Sequence, residues 1–508
     1  GKFKMAVFFT FVLFIFNICA FPSRIYGTNP DKSTNFEAIM IGDIEHITKK
    51  SCILAGLSFS ESLNDKYLNV LQMLQLAFKD EPNVRIALLK QNKDLFTRVK
   101  WDSSFEPSLS NSSLVFFQRV KPDRVCLSPK PEFVPFGEVW KGKVDAQLLL
   151  LYLNSKCETF RKLDGSLSAQ GKKRLDILAS LYHLPRIWFP DIAAECERMK
   201  VPSKEKFIRK YLFRSRPVII EGAMENWPAL KKWTNDFLDS RFGKNEIHIK
   251  MTSDGIFEGC DRAEHFSNFK YFRVPDFVKR QLPFPEMVVV RPATMNLNFS
   301  SFLEMIRRPP RVNVSAYLEY SSIPDHMPEL EKDISEFDFV KGILTRRHLN
   351  IWLSNGNTLG KLHFDPYENF LCQISGSKQL TLFEPHNNDR LYEGHIQEAI
   401  LGYDKISKKF SKKKLLDSTS MVMSPIDILR PDYKNFPKFK KVPGMRCTIN
   451  EGDVLYMPSF WWHEVQSVPS KDKRNLAVNF WYEPFLKKEF PCAECPMDIN
   501  PHYFHNLL

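Results

Sequence analysis

Hydrophobic residues in the first third of the chain follow two different periods. Apolar side chains that recur at steps of three and four predict a helix over 63–78: Leu68, Val70, Leu71, Leu74 and Leu76. Strands are expected at three short apolar runs bounded by polar residues: 38–41, 84–89 and 114–117. A further helix is predicted from 140 to 153. This alternation of strands and helices indicates an α/β domain over residues 36–160.

From residue 185 onward, the pattern changes to many short strands separated by Pro, Gly and Asn. The run 217–222 is apolar and ends in glycine, and similar runs continue to about residue 484. This spacing is typical of a β-sandwich or jelly roll, so we predict a second domain over 185–490. A polar, lysine-rich connector is expected at 161–184, and a C-terminal tail at 491–508.

The extreme N-terminus has the pattern of a secretory signal peptide. Lys2 and Lys4 precede an apolar run, and a small residue, Ala20, offers a cleavage point. The run is too short for a comfortable membrane span, so we expect no stable span after cleavage of residues 1–20; an uncleaved anchor is the alternative. Three glycosylation sequons agree with this route: Asn111, Asn298 and Asn313. The endoplasmic reticulum lumen is the expected location, with secretion as second choice.

Charge and composition place few limits on partners. Hydrophobic residues make up 43% of the chain and charged residues 26%, as in ordinary globular proteins. The net charge of +13 would allow weak nucleic-acid contact, but the basic residues are spread along the chain. Their densest cluster, at 408–414, is interpreted as a solvated loop. We expect a protein substrate and no specific nucleic-acid partner, and a homodimer is compatible with the sequence.

Cysteine usage fits an oxidising compartment without a redox motif. Cys492 and Cys495 form a CxxC at the C-terminus, which we interpret as a local disulfide. A domain that exchanges disulfides needs a pair of cysteines, because two thiols are required to store two electrons. In the N-terminal domain, only Cys52 lies near the place where such a pair is expected. That domain is therefore expected to dock partners or support the fold, not to exchange disulfides.

Candidate chemistry is concentrated in the second domain. A non-haem iron site needs two neutral imidazoles and a carboxylate on one face of the metal. In an extended segment, residues two apart point the same way, so His363 and Asp365 share a face. His463 starts a later strand, and the neighbouring Trp461 and Trp462 would keep the site dry. On its own, a His-x-Asp triplet is more often a surface loop than a metal site.

Lys378 adds an independent indication. It shares one face of a predicted strand with Leu380 and Leu382, and therefore points toward an interior. A buried ammonium is costly unless it is paired, and a dicarboxylic acid cosubstrate would supply that pair. For this residue taken alone, a lysine that reaches solvent along its apolar stem is the alternative.

Residues 185–485 resemble the JmjC family, in particular its cupin-like hydroxylases. The matching motifs are 216–222, 227–228, 232–234, 363–365, 452–458, 461–463 and 479–482. The resemblance implies a jelly-roll fold with flanking helices and Fe(II) and 2-oxoglutarate as cofactors. It also implies that His363, Asp365 and His463 are the iron ligands, with no catalytic residue beyond the metal centre.

Cosubstrate residues follow from the same resemblance. Lys378 matches the residue that binds the distal carboxylate of 2-oxoglutarate, and Tyr317 matches a hydroxyl that reaches it. The two amides beside the cosubstrate would be Asn369 and Asn479. One departure is Gly360, which replaces a threonine often found three residues before the His-x-Asp motif. Thr358 could compensate, or the carboxylate could rely on Lys378 and Tyr317.

The order of elements over 36–160 resembles a thioredoxin-like domain of the protein disulfide isomerase type. The resulting expectation is a multidomain protein that hydroxylates a protein side chain in the secretory pathway. The alternatives are a catalytically inactive JmjC fold that binds partners, and an RNA hydroxylase. Histone demethylation is least favoured, because no zinc-finger spacing is present and the predicted compartment is wrong.

Overall fold

A computed structural model gives the fold of the chain. It describes residues 36–39, 44, 47–48, 51–57, 65–89, 100–101, 113–118, 136–182, 194–271, 276–280, 282–307, 314–490, 492, 495–505 and 507. The predicted signal peptide, and the sequons at Asn111 and Asn313, lie outside these residues. The chain divides into two compact units, Gly1–Ser166 and Leu167–Leu508. No helix in the described part combines the length and apolar character needed to cross a bilayer.

The N-terminal unit is built on one mixed sheet. Its strands are Glu37–Ile39 (β1), Cys52–Leu57 (β2), Val84–Leu89 (β3), Lys100–Trp101 (β4), Ser113–Phe117 (β5) and Phe136–Val139 (β6). Their order is β1-β3-β2-β5-β6-β4, with β1 and β2 parallel to β3 and with β5 antiparallel to β2 and β6. Helices Asp65–Ala77 (α1) and Ala146–Lys156 (α2) pack on one face through a shared apolar cluster.

The strands predicted at 84–89 and 114–117 and the helix predicted over 63–78 are confirmed as β3, β5 and α1. Of the strand predicted at 38–41, residues 38–39 lie in β1, and residues 40–41 lie outside the described residues. The second helix begins later than predicted, at Ala146, because the Asp145 side chain accepts a hydrogen bond from Leu148 N (3.0 Å) and caps it. Cys52 is buried at the start of β2.

The second unit contains seven α-helices among the described residues. They are Ala169–Tyr182 (α3), Lys204–Phe207 (α4), Ala229–Lys232 (α5), Asn235–Phe242 (α6), Asp276–Lys279 (α7), Phe299–Arg307 (α8) and Ile323–His326 (α9). A π-helical turn, Ile208–Leu212, continues α4. The expected connector 161–184 therefore contains α3, which belongs to this unit.

Strands form most of the regular secondary structure among the described residues of the second unit. In chain order they are Ala194–Glu195 (β7), Arg198–Lys200 (β8), Val218–Glu221 (β9), Glu246–Thr252 (β10), Ile256–Phe257 (β11), Cys260–Arg262 (β12), Met287–Arg291 (β13), Ala293–Asn298 (β14), Ser315–Ser322 (β15), Arg346–Ser354 (β16), Leu359–Phe364 (β17), Glu368–Ser375 (β18), Ser377–Phe383 (β19), Gly394–Asp404 (β20), Lys409–Met423 (β21), Met445–Ile449 (β22), Val454–Met457 (β23), Trp462–Val468 (β24), Asn475–Tyr482 (β25), Leu486–Lys487 (β26) and Asp498–Ile499 (β27).

Two of the sheets form a jelly roll. The larger has the order β14-β10-β15-β16-β25-β18-β23-β9-β8, and the smaller has the order β11-β17-β24-β19-β22-β7. One apolar cluster joins residues of both sheets, including Leu371 and Ala477 from the larger and Leu380 and Ile449 from the smaller. Gly376, with φ of +79°, lets the chain cross between them, and a Cβ there would lie 2.6 Å from Val468 O.

The lysine-rich segment 408–414 is a correction to the sequence interpretation. The prediction of a solvated loop was wrong: Lys408 lies in a tight turn with φ of +55°, and Lys409 begins β21. That strand pairs with β20 at the edge of a four-stranded sheet with the order β12-β13-β20-β21. Lysines on an edge strand oppose pairing with another chain, so the same residues that resemble a loop in sequence protect an edge.

Two disulfides are present among the described cysteines. Cys492 and Cys495 are bonded, which confirms the predicted local disulfide. Cys196 is bonded to Cys447 on β22, across 251 residues of sequence. The second disulfide joins the segment between β7 and β8 to the smaller sheet, so it closes one edge of the jelly roll.

A buried carboxylate, that of Glu368, anchors the start of β18. Glu368 accepts hydrogen bonds from Tyr456 Oη (2.7 Å), Ser459 Oγ (2.8 Å), Ser459 N (3.3 Å) and Phe485 N (2.9 Å). Burial raises the pKa of Glu368, and these donors partly offset that effect. The residue therefore fixes the segment that follows Asp365.

Replacing Glu368 with alanine should destabilise the second unit, because four buried donors would lose their acceptor. We expect the free energy of unfolding to fall by about 3–5 kcal/mol, measured by chemical denaturation of the purified protein. Glu329→Ala, which removes an exposed ion pair with Arg241, should cost less than about 1 kcal/mol. Equal losses in the two variants would contradict this role of Glu368.

Candidate metal centre

Three side chains converge where β17 and β24 pair. His363 lies near the end of β17, Asp365 follows that strand, and His463 is the second residue of β24. The two histidines are direct partners in the antiparallel register, with ring centroids 4.3 Å apart. Asp365 Oδ2 lies 3.5 Å from His463 Nε2, and one potential ligand atom of each residue lies within 4.8 Å of the others. The pairing of β17 with β24 thus brings His463 next to His363 and Asp365, which lie about 100 residues earlier in the sequence.

Alternation along β17 explains why His363 and Asp365 act together. Phe364, between them, points away and packs edge-on against Trp462, with centroids 4.8 Å apart. A shift in register between Gly360 and His363 marks a local irregularity just before the pair. Such irregularities re-aim side chains next to functional sites.

Backbone carbonyls set the tautomers of both histidines. His363 Nδ1 lies 2.7 Å from Lys361 O, and His463 Nδ1 lies 2.9 Å from Trp461 O. Because a carbonyl oxygen only accepts, each Nδ1 carries the hydrogen and each Nε2 keeps its lone pair. Outer partners of this kind hold metal-binding imidazoles in place.

Electrostatics favour the protonation states that a metal requires. Burial lowers the pKa of His463, and the neighbouring His363 lowers it further, so the ring is neutral near pH 7. Burial alone would raise the pKa of Asp365, but the hydrogen bond with His463 and the electrostatic influence of the two imidazoles keep it below its usual value. Two neutral imidazoles and one carboxylate form a donor set that suits Fe(II) and leaves positions for other ligands.

Lys378 faces the same side of the smaller sheet as His463, and we call the interior region that it shares with the three candidate ligands the chamber. Lys378 lies on β19, is 3% exposed, and donates a hydrogen bond to Ser467 Oγ at 2.8 Å. Its Nζ lies 6.0 Å from the centre of the Tyr317 ring. Among the described residues no carboxylate lies within 4 Å of this ammonium. Burial lowers the pKa of Lys378 to about 7, and the charge of Glu319 opposes that shift. A buried cation without an ion-pair partner is a site for an anion.

The remaining predicted residues line the same interior in different ways. Asn479 Oδ1 accepts from Trp352 Nε1 (2.7 Å), and Asn479 Nδ2 donates to Asn369 Oδ1 (3.4 Å). Tyr317 is buried, and burial raises the pKa of its phenol well above the usual value, so the hydroxyl stays a donor. Thr358 contacts Ser467 through its backbone: the Thr358 carbonyl accepts a hydrogen bond from Ser467 N at 2.8 Å.

Sequence reasoning missed two parts of this chamber. Ser467 supplies a hydroxyl beside Lys378, on the strand that also carries His463; the even spacing of four residues places both on one face. Lys250 on β10 lies 3.0 Å from Glu258 Oε1 and 2.5 Å from Glu319 Oε2. Burial would lower the pKa of Lys250, but the two carboxylates raise it, so it is charged. Lys250 alternates with the polar residues Glu246 and His248 on β10, opposite the apolar face, so the sequence pattern gave no signal for it.

Comparison with known proteins agrees with this geometry. The profile of the cupin-like domain family matches residues 203–488. A human protein named bifunctional peptidase and (3S)-lysyl hydroxylase JMJD7 is 26% identical over 308 residues, covering 58% of this chain and 88% of that protein. JmjC domain-containing protein E of Dictyostelium discoideum is 25% identical over 314 residues, covering 58% and 85%. Zebrafish lysine-specific demethylase 8 is 28% identical over 293 residues, covering 57% and 58%.

The family match covers more than half of the chain and spans all the residues of the chamber. These relatives are named as a lysyl hydroxylase and a lysine-specific demethylase, and the donor set described above suits Fe(II). The chain therefore belongs to the cupin-like JmjC family of Fe(II)- and 2-oxoglutarate-dependent oxygenases.

Proposed function

We propose that this oxygenase hydroxylates a side chain of a protein substrate in the secretory pathway, in the endoplasmic reticulum lumen. The observation that carries the oxygenase part of the proposal is that Lys378 pairs with Ser467 on β24, the strand that also presents His463 on the same face. A structural histidine cluster would have no need of a buried cation beside it.

Each residue of the chamber has a distinct task in this proposal. His363 and His463 present Nε2, and Asp365 presents a carboxylate oxygen, to hold iron on one face. When bound, iron and 2-oxoglutarate supply the oxidation: O2 is consumed, 2-oxoglutarate yields succinate and CO2, and one oxygen atom enters a substrate C–H bond. The protein's contribution is to position these groups and exclude water.

The far carboxylate of 2-oxoglutarate is assigned to Lys378, with hydroxyls from Ser467 and Tyr317 as further donors. Gly360 lacks the hydroxyl of the threonine that it replaces. Ser467 supplies a hydroxyl beside Lys378 instead. Asn369 and Asn479 orient polar groups of the cosubstrate, and Thr358 helps to hold Ser467 in place through its backbone.

We propose that the reaction hydroxylates the substrate and does not demethylate it, although one relative is named a hydroxylase and another a demethylase. The predicted compartment is the reason, since chromatin is absent from the secretory pathway. The mass change of the substrate separates the two outcomes: hydroxylation adds one oxygen atom, whereas demethylation removes a methyl group. An inactive binding module is the alternative, and the intact metal and anion sites argue against it.

The secretory location has support from three sources. The sequence carries the signal-peptide pattern, the chain holds two disulfides, and the sequon asparagine Asn298 is exposed at the end of β14. Disulfides persist mainly in oxidising compartments. The N-terminal unit is proposed to be thioredoxin-like, on the strength of its mixed sheet and the two helices on one face. Without a dithiol motif, it would serve as a docking domain.

Metal binding should depend on the triad. Loss of a residue that only hydrogen-bonds a metal ligand typically weakens metal binding by roughly 10–100-fold. Because His363 is itself a proposed ligand, His363→Ala should weaken Fe(II) or Mn(II) binding by at least that factor and abolish succinate formation. Titration calorimetry with Mn(II) and an assay of succinate provide the readouts. His395→Ala, a change in the β20–β21 hairpin, is the matched control and should bind metal normally. Unchanged metal affinity in His363→Ala would remove the proposed site.

Cosubstrate use should fall as pH rises. Because the pKa of Lys378 is about 7, its ammonium is present below that pH and lost above it. We expect kcat/KM for 2-oxoglutarate to decline above pH 7, approaching about tenfold per pH unit. Lys378→Arg keeps its charge and should flatten the profile, whereas Lys378→Met should be poor at every pH. A wild-type profile that stays flat to pH 9 would contradict the assignment.

The proposed compartment predicts glycosylation. When the full chain is expressed in eukaryotic cells, endoglycosidase treatment should increase its mobility on a denaturing gel. Asn298→Gln should remove part of that shift, because Asn298 is an exposed acceptor. Full-length protein that lacks glycans and is found in the cytosol would contradict the secretory part of the proposal and leave the oxygenase chemistry intact.

A further inference from the structure

Phe364 lies between two of the candidate ligands but points away from the metal centre. His363 and Asp365 are its chain neighbours, so the position of its ring constrains the backbone that presents both ligand side chains. On β24, Trp462 precedes His463 and packs edge-on against the Phe364 ring, with centroids 4.8 Å apart. Groups that hold Phe364 in place therefore act on the segments that carry all three candidate ligands.

Four side chains surround this ring, and one of them is charged. We define the Phe364 cage as Trp462, Phe460, Phe490 and Lys488. The ring centroids of Phe460 and Phe490 lie 6.1 and 5.8 Å from that of Phe364. Lys488 Nζ lies 5.4 Å from the same centroid, within the range of a cation–π contact.

The Lys488 ammonium is completely buried and has a direct partner. The side chains of Lys488 and Glu393 are both 0% exposed. Lys488 Nζ donates to the two carboxylate oxygens at 2.6 and 2.8 Å, and to Glu489 O at 3.4 Å. These acceptors use all three hydrogens of the ammonium, so its place over Phe364 is fixed. Burial lowers the pKa of Lys488, but the hydrogen bonds to Glu393 oppose that shift and favour the cation.

The C-terminal segment holds Glu393 from a second direction. The Glu393 carboxylate accepts a hydrogen bond from Cys492 N, and Cys492 is bonded to Cys495. Lys488 and Phe490, the two cage residues of this segment, come just before the disulfide. The disulfide therefore restrains the end of the segment that packs against Phe364.

Two further contacts tie the cage to the ligand strands. Phe460 N donates to Asp365 O at 2.9 Å, and Phe460 has φ of +66°. Positive φ is uncommon for a non-glycine residue, and such strain concentrates at functional sites. Asn388 Oδ1 accepts from Trp462 Nε1 at 2.7 Å, and Glu393 N donates to Asn388 O at 3.1 Å. One short segment, 388–393, thus holds both Trp462 and the partner of the cage lysine.

Stability alone gives no reason for a completely buried ion pair at this place. The free energy that two charges lose on leaving water often exceeds what they regain by attraction, so apolar residues of similar volume are frequently neutral or stabilising replacements. The location of the pair gives a reason. Its cation contacts a ring that lies one residue from His363 and one residue from Asp365.

We propose that Lys488, held by Glu393, is a positioning residue for the metal centre. It fixes the ring of Phe364, and through the backbone it fixes the directions in which His363 and Asp365 present their ligand atoms. This inference rests on the metal site of the proposed function. It adds a group that touches neither the metal nor 2-oxoglutarate, and it gives the C-terminal segment a role at the metal.

Metal affinity of the folded protein tests the proposal. Replacing only the lysine would leave a buried carboxylate without its partner and destabilise the fold. Lys488→Met/Glu393→Met instead exchanges the pair for two apolar side chains, and full-length protein should keep a Tm close to that of wild type. We expect it to bind Mn(II) about 10–100-fold more weakly in titration calorimetry, the loss typical of an outer partner of a metal ligand.

Two other variants accompany the double substitution. Glu393→Gln preserves the shape of the side chain and one acceptor, and should weaken Mn(II) binding in the same direction. Lys210→Met/Glu197→Met removes an ion pair outside the cage, with a 2.5 Å contact, and is the matched control. It should bind Mn(II) with wild-type affinity.

A spectroscopic readout and a mutant cycle distinguish positioning from a general loss of stability. Co(II) absorbs visible light at energies that depend on the arrangement of its ligands, so protein saturated with Co(II) should show shifted bands in the double variant and in Glu393→Gln. Phe364→Leu should itself weaken Mn(II) binding. Adding Lys488→Met/Glu393→Met to it should cost less than about a further twofold, because the pair acts through this ring.

The outcomes are distinct. Wild-type Mn(II) affinity and wild-type Co(II) bands in the folded double variant, or in Glu393→Gln if the double variant does not fold, would overturn the positioning role. Fully additive losses in the cycle would overturn it as well, because the pair would then act by a route other than Phe364. A wild-type protein that fails to bind Mn(II) would reject the metal site of the proposed function, and this inference with it.

Discussion

The register of β24 between its two neighbours is the constraint on which the chamber depends. On one side it places His463 opposite His363, and on the other it places Ser467 opposite Lys378. A slip of one residue would turn these side chains to the opposite face of the sheet. Apolar partners such as Leu380 and Val465, which pair across the same strands and face the core, make that slip costly. The hydrophobic core therefore specifies the position of the polar site.

The lysines and carboxylates of this chamber are incompletely paired. Lys378 has a hydroxyl partner, and two carboxylates share Lys250. By contrast, the buried Lys488 is paired directly with Glu393, with two contacts of 2.6 and 2.8 Å. Buried ions normally require such partners. The contrast distinguishes groups that support the fold from groups that await a ligand, and it links the anion site to cosubstrate binding.

Local patterns were sufficient for part of this picture. The spacing of His363 and Asp365, the shared face of Lys378 with Leu380, and the helix over 63–78 follow from alternation and periodicity within one segment. Ser467, Glu258 and Lys250 could not be assigned that way, because their relevance arises only when strands distant in sequence pair. The lysines at 408–414 were misinterpreted because solvent exposure favours charge equally in a loop and on an edge strand. Backbone strain at Phe460 likewise has no sequence signature.

The central claim is that one chamber holds both the metal and 2-oxoglutarate. Its most direct test is nuclear magnetic relaxation of 2-oxoglutarate in the presence of full-length protein and Mn(II), since a paramagnetic ion broadens only signals of nuclei close to it. The account predicts strong broadening that disappears in His363→Ala, through loss of the metal, and in Lys378→Met, through loss of the anion site. Binding of 2-oxoglutarate to the Mn(II)-loaded protein without broadening would contradict it.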